Sequence, residues 1–220
     1  MFNTNTTLAQ LATTQPGATR VFLRHRLDFC CGGRQTLVHA CHEAGLNPEQ
    51  VLDEIATAGA DPTDERWETK PLPELVQFIV TRYHDSLRVD LPALLEAAQR
   101  VERVHADKPS CPHGLAAEIE NFQTEILQHL AKEEHALFPA IVAGSHGVQV
   151  HMPVRVLMQE HDDHGANLKL LRELATDYVP PAKACATWRA LYSGLEKLEA
   201  ELMQHIHLEN NVLFPRALNN

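Results

Sequence analysis

The sequence predicts an all-α protein, an up-down four-helix bundle preceded by a small helical domain. Three observations predict it. Apolar residues recur at spacings of three and four along most of the chain, while no alternating Val/Ile/Thr run appears and aromatics make up only 5%. Proline and glycine clusters divide the C-terminal two thirds into four long segments joined by short connections, the pattern of an up-down bundle. The segments also repeat in pairs: Gln128-His129-Leu130-Ala131-Lys132-Glu133 with Leu137-Phe138-Pro139 returns as Gln204-His205-Ile206-His207-Leu208-Glu209 with Leu213-Phe214-Pro215, 76 residues later throughout.

Residues 8–58 read as three or four short helices. One is expected to start near Arg34, after Gly32-Gly33. The last opens with Asn47 as N-cap, Pro48 at the first helical position and Gln50 at the third. Residues 59–73 hold Gly59, Pro62, Pro71 and Pro73 among charges, which marks a linker with its boundary near residue 65 and divides the chain into domains 1–65 and 72–220. The bundle segments are expected at about 72–104, 114–137, 153–177 and 185–213. They are separated by Lys108-Pro109-Ser110, by 144–147 with Pro153, and by Val179-Pro180-Pro181. Pro92 should kink or restart the first of them.

Composition excludes several classes of function. With 19 Lys and Arg against 29 Asp and Glu the formal charge is −10, and a phosphate-tracking nucleic-acid binder would need a basic face instead. No run of 18 apolar residues offers a membrane span. Residues 1–15 carry no Lys or Arg and no apolar core, so no secretory signal is expected there. The five cysteines (Cys30, Cys31, Cys41, Cys111, Cys185) form no regular framework, so free thiols in a reducing cytoplasm are expected.

The chain has 14 histidines, and four of them are arranged. Residues four apart on a helix stack on one face. Along the second bundle segment the apolar seam runs Leu115, Ile119, Phe122, Ile126 and then His129, Glu133, Leu137, so a histidine and a glutamate occupy core positions. The fourth reads Trp188, Leu191, Leu195, Leu198, Leu202, His205, Glu209, Val212. In the third, Val154 and Leu157 lead to His161, with Leu168 and Leu171 beyond. In the first, Val76 and Val80 lead to His84, with Leu87 and Leu91 following. A single core histidine is usually a satisfied packing residue. Four histidines and two glutamates buried together would each carry a desolvation cost of several kcal/mol unless paired or ligated, and a metal between the helices removes that cost.

A nitrogen and oxygen donor set without thiolate is unlike the cysteine-rich closed sites of structural zinc. Carboxylates from facing helices build di-iron and di-manganese sites in bundles. Two octahedral ions offer roughly twelve positions; four histidines and two bridging glutamates fill eight. An oxo or hydroxo bridge and open positions take the remainder, which implies reactivity toward dioxygen or nitric oxide.

The order His84, His129-x-x-x-Glu133, His161, His205-x-x-x-Glu209 over about residues 72–217 resembles hemerythrin-like domains. Oxygen-carrying hemerythrins have a second histidine four residues after the third-helix ligand, where this chain has Gly165. His164, one residue earlier and near the seam, is held in reserve as an assisting residue. That departure points away from reversible oxygen carriage. Leu27-Asp28-Phe29-Cys30-Cys31-Gly32-Gly33 resembles the N-terminal domain of the iron–sulfur cluster repair (repair of iron centres) proteins. So do the strings Arg82-Tyr83-His84-Asp85, Val101-Glu102-Arg103-Val104-His105-Ala106-Asp107-Lys108-Pro109 and Leu208-Glu209-Asn210-Asn211-Val212-Leu213-Phe214-Pro215. The resemblance covers nearly the whole chain. It implies a cytoplasmic homodimer with two iron ions held by His84, His129, Glu133, His161, His205 and Glu209, with Glu133 and Glu209 bridging. It further implies repair of iron–sulfur proteins damaged by nitrosative or oxidative stress, by iron donation or by handling nitric oxide at the iron pair. A sensor or reservoir for nitric oxide or oxygen without repair activity is the alternative. A nitric oxide reductase or peroxidase is a third reading, disfavoured because no reductase domain or flavin fingerprint is present.

Cys30 and Cys31 are the candidate reactive pair. The glycines let the backbone approach a partner closely, and a helix start just beyond them would lower a thiol pKa. Adjacent cysteines do not close a relaxed disulfide. Iron transfer, cluster docking and thiol redox chemistry all fit, and the alternative is two small buried hydrophobes. Cys41, Cys111 and Cys185 read as structural, and His39, His42, His135 and His207 as surface or packing residues. His105 is a candidate assisting residue. Glu125 and Glu201, one turn before ligand histidines, are candidates to orient them.

Overall fold

In a computed structural model, residues 2–59 and 66–219 are described; the linker boundary expected near residue 65 lies outside them. Every regular element among the described residues is helical, apart from one isolated antiparallel bridge between Thr7 and Thr36. No helix among them is long and apolar enough to cross a membrane.

Four short helices open the chain: α1 (Leu8–Thr14), α2 (Ala18–His25), α3 (Leu37–Glu43) and α4 (Pro48–Thr57). Thr7 and Gln10 form a capping box on α1. Asn47 caps α4 by accepting the Gln50 N–H at 3.0 Å, with Pro48 in the first turn, as its sequence predicts. The third helix departs from expectation. It starts at Leu37, not near Arg34, because the Thr36 side chain accepts the His39 N–H and fixes the start there.

Four long helices follow. Helix α5 comprises Leu72–Ile79 and Asp85–His105, joined by a π-helical turn at Val80–His84. Helix α6 comprises Leu115–Lys132, a π-turn at Glu133–Leu137 and Phe138–Val142. Helix α7 spans Val148–Leu174. Helix α8 comprises Ala186–Leu208, a π-turn at Glu209–Leu213 and Phe214–Leu218. Two prolines expected at breaks lie inside helices. Pro92 interrupts nothing in α5, since it sits on an exposed face where water can serve the Arg88 carbonyl that loses its donor. Pro153 falls in the second turn of α7, which begins at Val148, before the expected residue 153.

The chain divides into two compact units, Met1–Val76 with Met203–Asn220, and Gln77–Leu202. This division follows packing, whereas 1–65 and 72–220 follow the order of the chain. In the first unit Leu8, Leu11, Val21, Phe22, Phe29, Leu37, Cys41, Val51 and Ile55 form a buried core. In the second, side-chain bonds link each helix to its neighbours around a closed bundle. Glu102 of α5 accepts the Ala116 N–H of α6, and Asn167 of α7 donates to Glu125 of α6. Arg172 of α7 donates to Glu199 of α8, and Arg82 of α5 pairs with Glu201 of α8. The seam residues read from the sequence are buried, with one exception. Val80 is half-buried and Ile79 takes its place, because the π-turn widens the step from seam residue to ligand to five, from Ile79 to His84.

Candidate metal centre

The three π-turns lie at the predicted ligands. His84 ends one, and Glu133 and Glu209 each begin one. In each, the closing N–H reaches five residues back: Asp85 to Val80, Phe138 to Glu133, Phe214 to Glu209. In α6 and α8 the cause is local. Pro139 and Pro215 have no N–H for the carbonyl four residues earlier, and their rings press against it, so the helix widens just ahead of them.

In the bundle unit Glu133 is buried among three buried histidines, His84, His129 and His161. Glu133 Oε2 lies 3.5 Å from His84 Nε2, and its Oε1 lies 3.3 Å from His129 Nε2. His161 Nε2 is 3.0 Å from His129 Nε2, and donor atoms of His129, Glu133 and His161 all fall within 4.8 Å of one another. Each carboxylate oxygen thus faces a different imidazole.

The far nitrogens of two imidazoles are tied down. His84 Nδ1 lies 2.7 Å from Glu134 Oε1, to which Arg88 also donates at 2.7 Å. His129 Nδ1 lies 2.9 Å from Glu160 Oε2, while Lys132 holds the other Glu160 oxygen. Burial pushes the carboxyl pKa of Glu134 and Glu160 upward. The hydrogen bonds from Arg88 and His84, and from Lys132 and His129, outweigh it and lower both. These carboxylates therefore hold the Nδ1 sides of the two rings and leave each Nε2 directed inward.

That inward geometry fits a metal. The Nε2 atoms of His84 and His129 face a Glu133 carboxylate that is fully buried and accepts no hydrogen bond among the described residues at either oxygen. A buried carboxylate with no hydrogen bond is unfavourable in a low dielectric unless positive charge compensates it, and imidazole nitrogens around it suit a cation. The buried histidine and glutamate groups fit a metal site of nitrogen and oxygen donors. In the other unit His205 and Glu209, both buried, repeat the motif with His205 Nε2 2.9 Å from Glu209 Oε1.

The residues held in reserve separate. His164 is buried with its ring edge against His129, centroids 4.8 Å apart. His105 stacks on Trp188 and approaches Cys185 Sγ at 3.3 Å. It lies 21 residues beyond His84 on α5, about 30 Å of helix away, and so does not assist the site. Glu201 and Glu125 bond Arg82 and Asn167 rather than His205 and His129. The residues that hold the imidazoles are Glu134 and Glu160. The signal for both was adjacency, one residue after Glu133 and one before His161.

Cys30 and Cys31 lie in a tight loop of the first unit. The Asp28 Oδ1 atom accepts the Cys31 N–H at 3.0 Å and the Cys30 thiol at 3.2 Å. Any Cβ on Gly32 would sit 2.7 Å from the Asp28 carbonyl oxygen, and on Gly33 2.7 Å from that of Phe29, so both positions require glycine. The expected lowering of the thiol pKa is not found at Cys30. Its hydrogen bond with Cys31, its burial and the nearby Cys31 and Asp28 charges raise it well above the ordinary value, and the next helix starts only at Leu37. The loop is held by α8. Asn211 Nδ2 donates to the Phe29 carbonyl at 3.1 Å and Asn210 Nδ2 to the Cys30 carbonyl at 3.3 Å. His207, expected to be a surface or packing residue, is buried with its ring edge on Phe29.

Comparison with known proteins agrees with both halves. Residues 76–217 match the hemerythrin HHE cation binding domain, and residues 4–59 match ScdA_N, a domain of unknown function (DUF542). The iron-sulfur cluster repair protein YtfE of Yersinia pseudotuberculosis is 46% identical over 215 residues, 97% of this chain and 97% of that protein. The protein of the same name from Yersinia pestis matches with the same identity and coverage.

Proposed function

The chain belongs to the hemerythrin HHE cation-binding family, and from that premise we propose that it is a di-iron protein that repairs iron–sulfur clusters damaged by nitrosative or oxidative stress. His84, His129, His161 and His205 are the imidazole ligands, and Glu133 and Glu209 bridge the two ions. The carrying observation is the buried Glu133 carboxylate, with one imidazole Nε2 facing each oxygen. The repair role is supported by relatives named for it at 46% identity over nearly the full length.

When bound, the iron pair supplies open coordination positions for nitric oxide or dioxygen and an iron source for a damaged cluster. The protein's own residues do the rest. Glu134 with Arg88 and Glu160 with Lys132 orient the rings of His84 and His129. Cys30 and Cys31 act in the transfer step. The partners are damaged iron–sulfur proteins, and the working form is a cytoplasmic homodimer whose functional domains are 1–65 and 72–220.

The test has two parts. Metal analysis with Mössbauer spectroscopy, before and after nitric oxide, should find a coupled iron pair that responds to the gas and is lost in His129→Ala with His205→Ala. A nitric-oxide-damaged aconitase should then recover faster with the protein than without it. Iron retained in the double variant sinks the ligand set. An iron-loaded protein that leaves aconitase recovery unchanged sinks repair in favour of a nitric oxide or oxygen reservoir.

A further inference from the structure

The loop that precedes α3 gathers a second set of metal-binding donor types, apart from the histidine and glutamate centre. Asp28, Cys30 and Cys31 each offer one donor atom, and these atoms lie within 4.8 Å of one another. From this geometry we propose that Asp28, Cys30 and Cys31 form a second metal site, an exchangeable one for a thiophilic divalent cation such as ferrous iron, zinc or cobalt. It uses none of the histidine and glutamate donors, and circular dichroism of each variant keeps its failure distinguishable from a failure of the di-iron reading.

The spacing fits an ion. A tetrahedral cation with metal–sulfur bonds of about 2.3 Å and metal–oxygen bonds of about 2.0 Å needs a sulfur–sulfur edge of about 3.8 Å and a sulfur–oxygen edge of about 3.5 Å. The loop sets Cys30 Sγ and Cys31 Sγ 3.7 Å apart, and Cys30 Sγ 3.2 Å from Asp28 Oδ1. The ligands already stand near the edges of the polyhedron before any ion arrives.

The site is built, not incidental. Gly32 and Gly33 let the loop close on the carbonyls of Asp28 and Phe29, where any side chain would collide with backbone. Asn210 and Asn211 clamp the Cys30 and Phe29 carbonyls from outside. Such a clamp holds the donors in place and lowers the ordering cost of binding. Binding replaces the protons of both thiols, which leave to solvent as the two metal–sulfur bonds form.

The donor set also selects. Two thiolates and one carboxylate suit borderline divalent ions, whereas magnesium and calcium prefer all-oxygen sets. Cys30 is buried while Asp28 and Cys31 are half-exposed. Three protein ligands with one open side resemble an exchangeable site, not the closed four-ligand site of structural zinc. The placement is economical. Residues 207, 210 and 211 hold this loop, while residues 205 and 209, on the same stretch of α8, carry the other motif.

Anaerobic full-length protein, with its iron loaded, is titrated with cobalt(II). One further equivalent should bind with a thiolate-to-cobalt charge-transfer band in the near ultraviolet. Cys31→Ser and Cys30→Ser should abolish the band. Asp28→Asn keeps an oxygen for the Cys31 N–H, so the loop persists, yet with a charged ligand made neutral cobalt affinity should fall by more than the roughly tenfold of losing an outer partner, with the band retained. Iron content and circular dichroism of each variant report whether the fold survives. If Cys30→Ser fails that control, the half-exposed Cys31→Ser decides. The proposal is overturned by an absent band, by a band that survives in a folded cysteine variant, or by an Asp28→Asn affinity equal to that of the unaltered protein.

Discussion

Two turns of helix carry the same motif and do different second jobs. In α6 the sequence His129-x-x-x-Glu133 is followed by Glu134 and His135; in α8 His205-x-x-x-Glu209 is followed by Asn210 and Asn211. Both have a π-turn beginning at the glutamate and a Leu-Phe-Pro behind it. They differ on the opposite face. Ala131, Glu134 and His135 of the first correspond to His207, Asn210 and Asn211 of the second, at the same 76-residue offset. Glu134 turns to the imidazole of His84. Asn210 and Asn211 turn to the loop of Cys30, and His207 packs on Phe29. The two copies share the inward face of the turn and differ on the outward face, one touching His84 and the other the thiol loop.

The largest test asks whether the inward faces are equal. Glu133→Ala and Glu209→Ala each remove a proposed bridge, and each should lower iron affinity more than about a hundredfold, beyond the 10- to 100-fold typical of losing an outer partner. Iron per chain after gel filtration reads it. Near-full iron in either variant breaks the equivalence and shows that glutamate to be a partner of a single ion or of none.

The second test belongs to α8 alone. Burial drives the His207 pKa down to about 4, against the pull of its hydrogen bond with the Phe29 backbone. Above pH 6.5 the imidazole is neutral in both folded and unfolded chains, and full stability is present. As pH falls the unfolded chain takes up the proton first, so stability declines between about 6.5 and 4. The loss amounts to about 2 kcal/mol by pH 5 and about 3 kcal/mol below pH 4. Thermal unfolding from pH 7 to pH 5 should show a clearly smaller decline in His207→Gln than in the unaltered chain. Equal declines would show that this histidine does not sense acid. Ala131 has no proton to offer, so the α6 turn has no counterpart to this effect.

The sequence made the inward faces legible because ligands that occupy core positions obey the helical period, and a 76-residue repeat checks each against its copy. The period failed at Val80, where a π-turn moved the seam to Ile79. Pro139 and Pro215 announce the other two π-turns, but α5 has no such proline. The outward faces were less legible. Glu134 and Glu160 lie off the seam, and only the approach of neighbouring helices shows that they hold His84 and His129. Glu125 and Glu201, one turn before ligand histidines, looked better placed and bond elsewhere. The raised Cys30 thiol pKa was not legible because its causes, the hydrogen bond with Cys31, burial and the nearby Cys31 and Asp28 charges, depend on how the loop folds, and α3 starts at Leu37 rather than near Arg34.

The third test separates the two outward faces. Glu134→Gln keeps an acceptor for His84 Nδ1 but removes the charge that Arg88 shares. Iron affinity should fall 10- to 100-fold, with no change in the rate at which Cys30 and Cys31 react with a thiol reagent. A fall in affinity accompanied by faster thiol labelling would mean that the outward faces are not specialised.

The smallest effect is the most discriminating. Asn211 donates to the Phe29 carbonyl at 3.1 Å and to His207 Nδ1 at 2.9 Å, so Asn211→Ala removes hydrogen bonds from one half-buried amide. A net cost of about 1 kcal/mol is expected. Because Asn210 still reaches the Cys30 carbonyl, the loop should open locally without unfolding. Opening by 1 kcal/mol raises the population of the exposed loop about fivefold, and the labelling rate of the buried Cys30 should rise by that factor while iron content stays constant. His135→Ala, at the matching position of α6, serves as the paired control. His135 is exposed, so its removal should change neither thiol labelling nor iron. If Asn211→Ala releases iron along with the thiols, the α8 turn is a single unit in which ligand and loop faces move together, and the division of labour between the faces fails at the one place where both are present.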